Sequence, residues 1–311
     1  MAERIPYDEF SYFHENAAEY GIPFKAPVVR RESVEVAPGR KLSVLIWGTG
    51  EPQAVFLHGG AQNAHTWDTV ALALDVPMIA IDLPGHGHSD GAPNDRAQGP
   101  TDTIGNATDV AVVVRKLAPS AKVVVGMSLG GLTTIALTKV APDLVRKAVL
   151  VDVTPGVNQD KSKAISNFIN GPRTFPSFEE LLARTMEHNP TRTEASMRRG
   201  ILHNAIQEAD GTWVWRYRRH GDKSIGDPTA MQNPPFSGFA MLWDILEAAQ
   251  IPMLLVRGML PQSVVDDADE DMFLERAADP TVVRVQNAGH SVQGDTPVEL
   301  AEMIREFALE K

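Results

Sequence analysis

The chain has 311 residues, of which 43% are hydrophobic, and this is enough to bury a large α/β core and an inserted subdomain without cross-links. It contains 0 cysteines, which excludes disulfides, a thiolate nucleophile and cysteine-ligated metal sites. A formal net charge of -11 argues against nucleic acid as a partner, because binding phosphates requires clustered lysine and arginine.

The sequence gives no indication of a membrane-bound protein. The first residues lack an apolar stretch, and no run elsewhere is long enough to span a bilayer. We therefore expect a cytoplasmic protein with a small-molecule partner and no membrane partner. Monomer and homodimer both remain open, because an exposed apolar face could form an interface as readily as a pocket.

Strand and helix patterns alternate along most of the chain. Short apolar or β-branched runs typical of strands occupy residues 32–36, 42–48, 54–57, 76–83, 121–125, 145–153, 252–257 and 281–286. Helical patterns occupy residues 101–117, 129–140, 239–249, 268–278 and 297–309. This order predicts an α/β fold with a mostly parallel sheet of eight strands and helices on both faces.

The alternation stops after residue 153 and resumes near residue 236. Residues 157–235 contain more arginine and fewer β runs, and we predict that they form an inserted, mostly helical cap. Residues 1–30 carry several aromatic side chains and are expected to pack on the core as an N-terminal extension. The predicted core then consists of residues 31–156 and 236–311.

A serine stands where a strand pattern turns into a helix pattern. Residues 123–131 read Val-Val-Val-Gly-Met-Ser-Leu-Gly-Gly, and an apolar helical pattern follows. A strand, a tight turn and a helix in this order expose the hydroxyl of a nucleophile, here Ser128. Gly126 and Gly130 have no side chains to clash where the two elements cross, and the helix N-terminus places positive partial charge beside the serine.

Three further motifs follow predicted strands. They are His-Gly-Gly at residues 58–60, Asp-Leu-Pro-Gly-His-Gly-His-Ser-Asp at residues 82–90 and Ala-Gly-His at residues 288–290. With the serine turn, and in this order, they resemble the α/β-hydrolase superfamily over residues 32–311. The resemblance implies that Ser128 attacks an acyl carbonyl and that His290 takes and returns its proton. It also implies an oxyanion hole made by the N–H groups of Gly60 and Leu129.

The acid of the triad departs from the pattern that is usual in this superfamily. After the strand at 252–257, Ser263 stands where the carboxylate is expected, and a hydroxyl cannot stabilise an imidazolium as an anion does. One replacement is Asp152, which ends the strand after the nucleophile; haloalkane dehalogenases and zearalenone lactonases are similar in this respect. The alternative is Asp266, although an aspartate there also suits a helix cap. Both remain open.

Three further histidines in these motifs are expected to have supporting roles. His58 is expected to orient the oxyanion loop and, together with Gly59, Met127 and Trp215, to contact the substrate. His86 and His88 are expected to pack and to bind Asp82 or Asp90. None of the three histidines has the spacing of a metal-ligand pair, and no glycine-rich phosphate loop is present, so neither a metal nor another cofactor is predicted.

The predicted cap suggests the class of substrate. It mixes apolar residues with arginines, namely Phe168, Ile169, Phe175, Met186, Met197, Ile201, Trp213 and Trp215 with Arg173, Arg184, Arg192, Arg198, Arg199, Arg216, Arg218 and Arg219. The apolar residues suit a hydrophobic ester or lactone, and an arginine would suit a free carboxylate, as in a monoalkyl phthalate half-ester. Alternatively, most of these arginines are solvated or paired with Glu179, Glu180, Glu187 and Glu194.

The predicted activity is that of a serine esterase that works through an acyl-enzyme. A serine at position 128 excludes the alkyl-enzyme chemistry of epoxide hydrolases and haloalkane dehalogenases, which use aspartate there. Carbon–carbon bond hydrolysis of the meta-cleavage type and perhydrolase activity remain alternatives, because the same triad supports them. A non-catalytic ligand receptor on the same fold is the alternative from another class.

Overall fold

The computed structural model describes residues 4–91, 102–157, 160–217 and 239–310. Its strands are β1 (Val29–Ala37), β2 (Arg40–Trp47), β3 (Ala54–Leu57), β4 (Met78–Ile81), β5 (Val123–Met127), β6 (Ala148–Val151), β7 (Thr174–Phe175), β8 (Ala205–Gln207), β9 (Trp213–Trp215), β10 (Pro252–Gly258) and β11 (Asp279–Val285). Its α-helices are α1 (Phe13–Glu19), α2 (Asp68–Leu74), α3 (Thr103–Leu117), α4 (Leu129–Val140), α5 (Lys163–Ile169), α6 (Phe178–His188), α7 (Glu194–Asn204), α8 (Met241–Ala248), α9 (Asp267–Arg276), α10 (Val292–Asp295) and α11 (Pro297–Ile304).

Eight strands form one sheet in the order β1-β2-β4-β3-β5-β6-β10-β11. β2 runs antiparallel to both of its neighbours, and every other neighbouring pair is parallel. The mostly parallel sheet of eight strands predicted from the sequence is therefore confirmed, with element ends shifted by a few residues. In this arrangement the carboxyl ends of β3, β5, β6, β10 and β11 meet at one edge, which is where ligands bind in such folds.

Both faces of the sheet are covered by helices, as the apolar strands require. In β3, Ala54 and Phe56 belong to one hydrophobic cluster, while Val55 and Leu57 belong to the other. The first cluster includes residues of α1, α2 and α11, and the second includes residues of α3, α4 and α8. Successive side chains of a strand point to opposite faces, so a strand buried on both sides is apolar throughout.

The cap leaves the sheet after β6 and carries more than helices. Its described residues, 157 and 160–217, contain α5 to α7 and also a three-stranded antiparallel sheet in the order β7-β9-β8. The prediction of a mostly helical cap missed this sheet, because strands of two or three residues are too short to show a period. The predicted end of the cap at residue 235 lies outside the described residues, as do Arg218 and Arg219.

The N-terminal residues pack on the core. Phe13 of α1 is 4% exposed and packs at a tilt against Trp47, with ring centroids 4.8 Å apart.

None of the helices in the described part of the chain combines the length and apolar character needed to cross a bilayer.

Candidate active site

Ser128 lies on the turn that joins β5 to α4, at the carboxyl edge of the sheet. Its backbone angles, φ 51° and ψ -118°, fall in a region that residues other than glycine rarely occupy, so the turn is strained. A Cβ atom at Gly126 would overlap the carbonyl oxygen of Gly130, and one at Gly130 would overlap that of Leu57. Glycine at both positions therefore lets the strand and the helix approach closely enough to form the turn.

His290 follows β11 and pairs with Asp152, which follows β6. Its Nδ1 lies 2.9 Å from Oδ2 of Asp152, a carboxylate with 0% exposure. Oδ2 also accepts the N–H of Val264 at 3.0 Å, while Oδ1 accepts the N–H of Gly258 at 2.9 Å and the hydroxyl of Ser263 at 2.6 Å. Because a carboxylate only accepts, Nδ1 of His290 carries the proton and Nε2 is left to accept one.

Asp266 serves the end of a helix. It is the N-cap of α9, where its Oδ1 accepts the N–H of Asp269 at 2.9 Å. Its other oxygen lies 2.8 Å from the Lys161 ammonium, and the side chain is 52% exposed. Of the two aspartates that the sequence left open, the structure brings Asp152 to His290. Ser263, at the position where the acid was expected, donates to that same carboxylate.

The two N–H groups predicted to bind an oxyanion lie on segments that meet at the serine. The N–H of Leu129 is the first in α4 and has no acceptor within the helix. A Cβ atom at Gly59 would lie 2.5 Å from Sδ of Met127 and 3.3 Å from Cβ of Ser128, so the loop after β3 packs directly on the serine turn. Gly60, the next residue, lines the same cavity as Ser128.

Two buried histidines, His58 and His86, form hydrogen bonds with the backbone of the loop after β3. Nε2 of His58 accepts the N–H of Leu83 at 2.9 Å, and its Nδ1 donates to the carbonyl of Gly59 at 2.7 Å. Nε2 of His86 accepts the N–H of Ala61 at 3.1 Å. Burial lowers the pKa of both rings, that of His86 to about 3, so both are neutral.

His58, predicted to contact the substrate, is not among the residues that line the cavity, and its hydrogen bonds are with backbone groups of Gly59 and Leu83. Among the described residues, the hydrogen-bond partners of His86 are backbone groups of Ala61 and Pro84, and none is an aspartate. His88 does approach Asp82: its Nδ1 lies 3.9 Å from that carboxylate, which also accepts the backbone N–H of His88 at 3.0 Å.

A cavity of about 390 Å³ opens above Ser128. The core contributes Gly59, Gly60, Met127, Ser128 and His290 to its wall, and the cap contributes Ile169, Met197 and Trp215. The N-terminal residues Asn16 and Tyr20 also line it. Three of the predicted substrate contacts, Gly59, Met127 and Trp215, therefore face the cavity. No pattern in the sequence predicted that residues of the N-terminal extension line the cavity.

Two cap arginines line the cavity and differ in their partners. Arg199 is paired with Glu19 of α1. Arg192 donates to the hydroxyl of Ser196, and within the described residues its Nε has no hydrogen-bond partner and no carboxylate pairs with it. Arg198, outside the cavity wall, is 40% exposed and forms ion pairs with cap glutamates, as expected for most of these arginines.

A second group of ionisable residues, not recognised in the sequence, lines the cavity: His65, Asp68 and His203. Their sequence positions give no signal, because His203 is contributed by α7 of the cap and the other two by the segment after β3. The two imidazole rings stack with centroids 3.9 Å apart. Burial disfavours a charge on either ring and lowers the pKa of His203. At His65, burial lowers the pKa, but the Asp68 and Glu9 carboxylates together outweigh it and raise the pKa to about 9.

Comparison with known proteins identifies the family. The model of the alpha/beta hydrolase family matches residues 54–303, which include the serine turn, Asp152 and His290. The chain belongs to this family.

Two relatives are similar over nearly the whole chain. Esterase Rv0045c of Mycobacterium tuberculosis is 41% identical over 304 residues, which cover 96% of this chain and 95% of that protein. A solved structure of that esterase, from work on its inhibition by transition metals, has a TM-score of 0.81 and covers 97% of this chain and 99% of that chain at 40% identity. The 2-(acetamidomethylene)succinate hydrolase of Mesorhizobium japonicum is 26% identical over 269 residues, or 86% of this chain and 91% of that protein.

Proposed function

We propose that this chain hydrolyses a carboxylic ester or lactone with a hydrophobic group, through an acyl-enzyme on Ser128. The observation that carries this proposal is the arrangement around one cavity: a serine on a strained turn and a histidine whose Nδ1 is held 2.9 Å from a buried carboxylate. The 41% identity with an esterase supports ester hydrolysis as the reaction.

In the proposed mechanism, Oγ of Ser128 attacks the carbonyl carbon while Nε2 of His290 takes its proton. The carbon–oxygen bond to the alcohol then breaks, and His290 returns the proton to the leaving oxygen. A water molecule, deprotonated by the same nitrogen, attacks the acyl-enzyme, releases the acid and regenerates the serine. Asp152 stabilises the imidazolium in both halves, and the N–H groups of Gly60 and Leu129 donate to the oxyanion.

A covalent label tests the nucleophile. An alkyl fluorophosphonate should add one phosphonyl group per chain, on the peptide that contains Ser128, and abolish hydrolysis of p-nitrophenyl butyrate. Ser128→Ala should take no label and lose about 10⁶-fold in kcat. Ser196→Ala, another serine of the cavity wall, is the matched control and should be labelled normally. Label on another residue would refute the proposal, and tight ligand binding without turnover would indicate a receptor.

We further propose that the preferred ester carries a free carboxylate that Arg192 binds. Arg192 lines the cavity without a carboxylate partner among the described residues, so its guanidinium is available to a substrate anion. One relative, the 2-(acetamidomethylene)succinate hydrolase, is named for a succinate derivative, which is a dicarboxylate.

Steady-state kinetics on matched substrates test this preference. Arg192→Gln should raise KM for a monoalkyl phthalate about tenfold or more and leave KM for the neutral dialkyl ester unchanged, because only the anion loses a charged hydrogen bond. Arg198→Gln is the control, since that arginine is exposed and paired with glutamates. Equal changes for both esters would contradict the preference while leaving the ester hydrolase intact.

A further inference from the structure

His65, Asp68 and His203 come together where the cap meets the core. His65 lies in the 3₁₀ turn Ala64–Trp67, Asp68 is the first residue of α2, and His203 lies near the end of α7. The three residues are 8%, 2% and 5% exposed, and all of them line the catalytic cavity. One ligand atom from each lies within 4.8 Å of the other two. The proposed ester hydrolysis uses none of these side chains.

The spacing of these atoms is close to that of a tetrahedral metal centre. Oδ2 of Asp68 lies 2.9 Å from Nδ1 of His65 and 3.9 Å from Nε2 of His203. Metal–ligand bonds of about 2.0–2.2 Å at tetrahedral angles separate ligand atoms by about 3.3–3.6 Å. The third distance, between the two imidazole nitrogens, is within 4.8 Å. The rings stack with an interplanar angle of 12°, so they must also rotate before the in-plane lone pairs of both point at one ion.

The other ring nitrogen of each histidine faces an acceptor. Nε2 of His65 lies 3.2 Å from Oε2 of Glu9 and 3.1 Å from Nη2 of Arg31, which also pairs with Glu9, and Nδ1 of His203 lies 2.8 Å from the Tyr7 hydroxyl. Histidines that bind metals usually donate their second N–H to a carboxylate or another oxygen in this way. The contact with Tyr7 leaves Nε2 of His203 to present a lone pair to the ion. Nδ1 of His65 lies 2.9 Å from Oδ2 of Asp68, and because a carboxylate only accepts, this nitrogen carries a proton that an incoming ion must displace.

Two atoms of the cluster are buried without a hydrogen-bond partner among the described residues. They are Oδ1 of Asp68 and Nε2 of His203. Buried polar atoms are nearly always paired in native proteins, so each of these two atoms is available to a ligand at this cluster.

We propose that His65, Asp68 and His203 bind one divalent transition-metal ion of the Zn²⁺ or Co²⁺ type, with the fourth coordination position open to the catalytic cavity. Two imidazoles and one carboxylate are a ligand set that suits these ions better than Mg²⁺ or Ca²⁺, which prefer oxygen. Because the cluster lines the cavity, the ion can enter from there, and a water molecule or an anionic group can complete its coordination.

Direct binding to the full-length chain, freed of metal by a chelator, tests the proposal. Titration with Co²⁺ should show one ion per chain and the visible absorption of a tetrahedral complex, and calorimetry should show the same stoichiometry for Zn²⁺. Asp68→Asn and His203→Gln should each weaken Co²⁺ binding by at least about tenfold. His188→Gln is the matched control: it also lines the cavity, but its Nδ1 lies 3.0 Å from the Arg184 carbonyl of its own helix.

Two results would overturn the proposal. His290→Gln distinguishes the cluster from the pair formed by His290 and Asp152, which also combines an imidazole with a carboxylate. Loss of Co²⁺ binding in His290→Gln, with binding retained in Asp68→Asn and His203→Gln, would place the ion at the triad. No binding by the wild-type chain would also refute the site. Circular dichroism checks folding, and if Asp68→Asn does not fold, His203→Gln decides.

Discussion

Replacement of Asp152 by asparagine perturbs the proposed triad without changing its shape. The carboxylate accepts two hydrogen bonds on each oxygen, and two of the four donors are backbone N–H groups, of Gly258 and Val264. Asparagine offers only one accepting oxygen. If its amide nitrogen replaces Oδ2, it faces the N–H of Val264 and forces Nδ1 of His290 to accept, so that the proton moves to Nε2. That nitrogen can then no longer take the proton of Ser128.

The opposite amide orientation also fails. The amide nitrogen then faces the N–H of Gly258, and the imidazolium loses its counter-charge. We expect kcat to fall by about 10⁴-fold, which corresponds to about 5 kcal/mol at 1.36 kcal/mol per factor of ten. One buried backbone N–H is left unpaired in either orientation, so the free energy of unfolding should also fall by about 1–3 kcal/mol.

The assay is the kcat for p-nitrophenyl butyrate, measured alongside urea unfolding so that loss of chemistry is separated from loss of folded protein. Asp266→Asn is the matched control, because Asp266 caps α9 and does not contact His290; its kcat should stay within a few-fold of the wild type. If Asp152→Asn keeps kcat within tenfold of the wild type while remaining folded, the reasoning from the hydrogen bonds of this carboxylate is wrong.

Two further predictions concern stability. Gly130→Ala should lower the free energy of unfolding, measured by urea titration, by about 1–3 kcal/mol or more, because the added Cβ would overlap the Leu57 carbonyl. Gly200→Ala in α7 is the control: its added Cβ would have no heavy atom within 4 Å beyond its chain neighbours and the backbone of its own helix, so the substitution should be neutral or stabilising. Burial lowers the pKa of His86 from 6.5 to about 3, so below pH 6.5 the unfolded chain binds a proton that the folded chain does not. Stability from this group therefore falls as pH falls from about 6.5 to about 3, and His86→Gln should lose less stability between pH 7 and pH 4.5. An equally steep loss would contradict the assignment.

Features that depend on neighbouring residues could be predicted from the sequence. Short apolar or β-branched runs marked all eight strands of the main sheet. The central strands are apolar along their length because they are buried on both faces, whereas the edge strands β1 and β11 mix β-branched with polar residues and are partly exposed. The turn at Ser128 was predictable for a similar reason, since its two glycines and the strand before it lie within a few residues. The sheet in the cap was missed because its strands are too short for any periodicity to show.

Features that depend on residues far apart in the chain were decided only by the tertiary structure. Asp152 and Asp266 were both compatible with the sequence, and only the folded sheet shows that Asp152 reaches His290 while Asp266 caps a helix. The same holds for the cluster at His65, Asp68 and His203, in which the cap is folded back onto the segment after β3. The sequence determined the elements and their order, because local side-chain patterns set secondary structure. Packing decided which polar groups meet, because their distances depend on the whole fold.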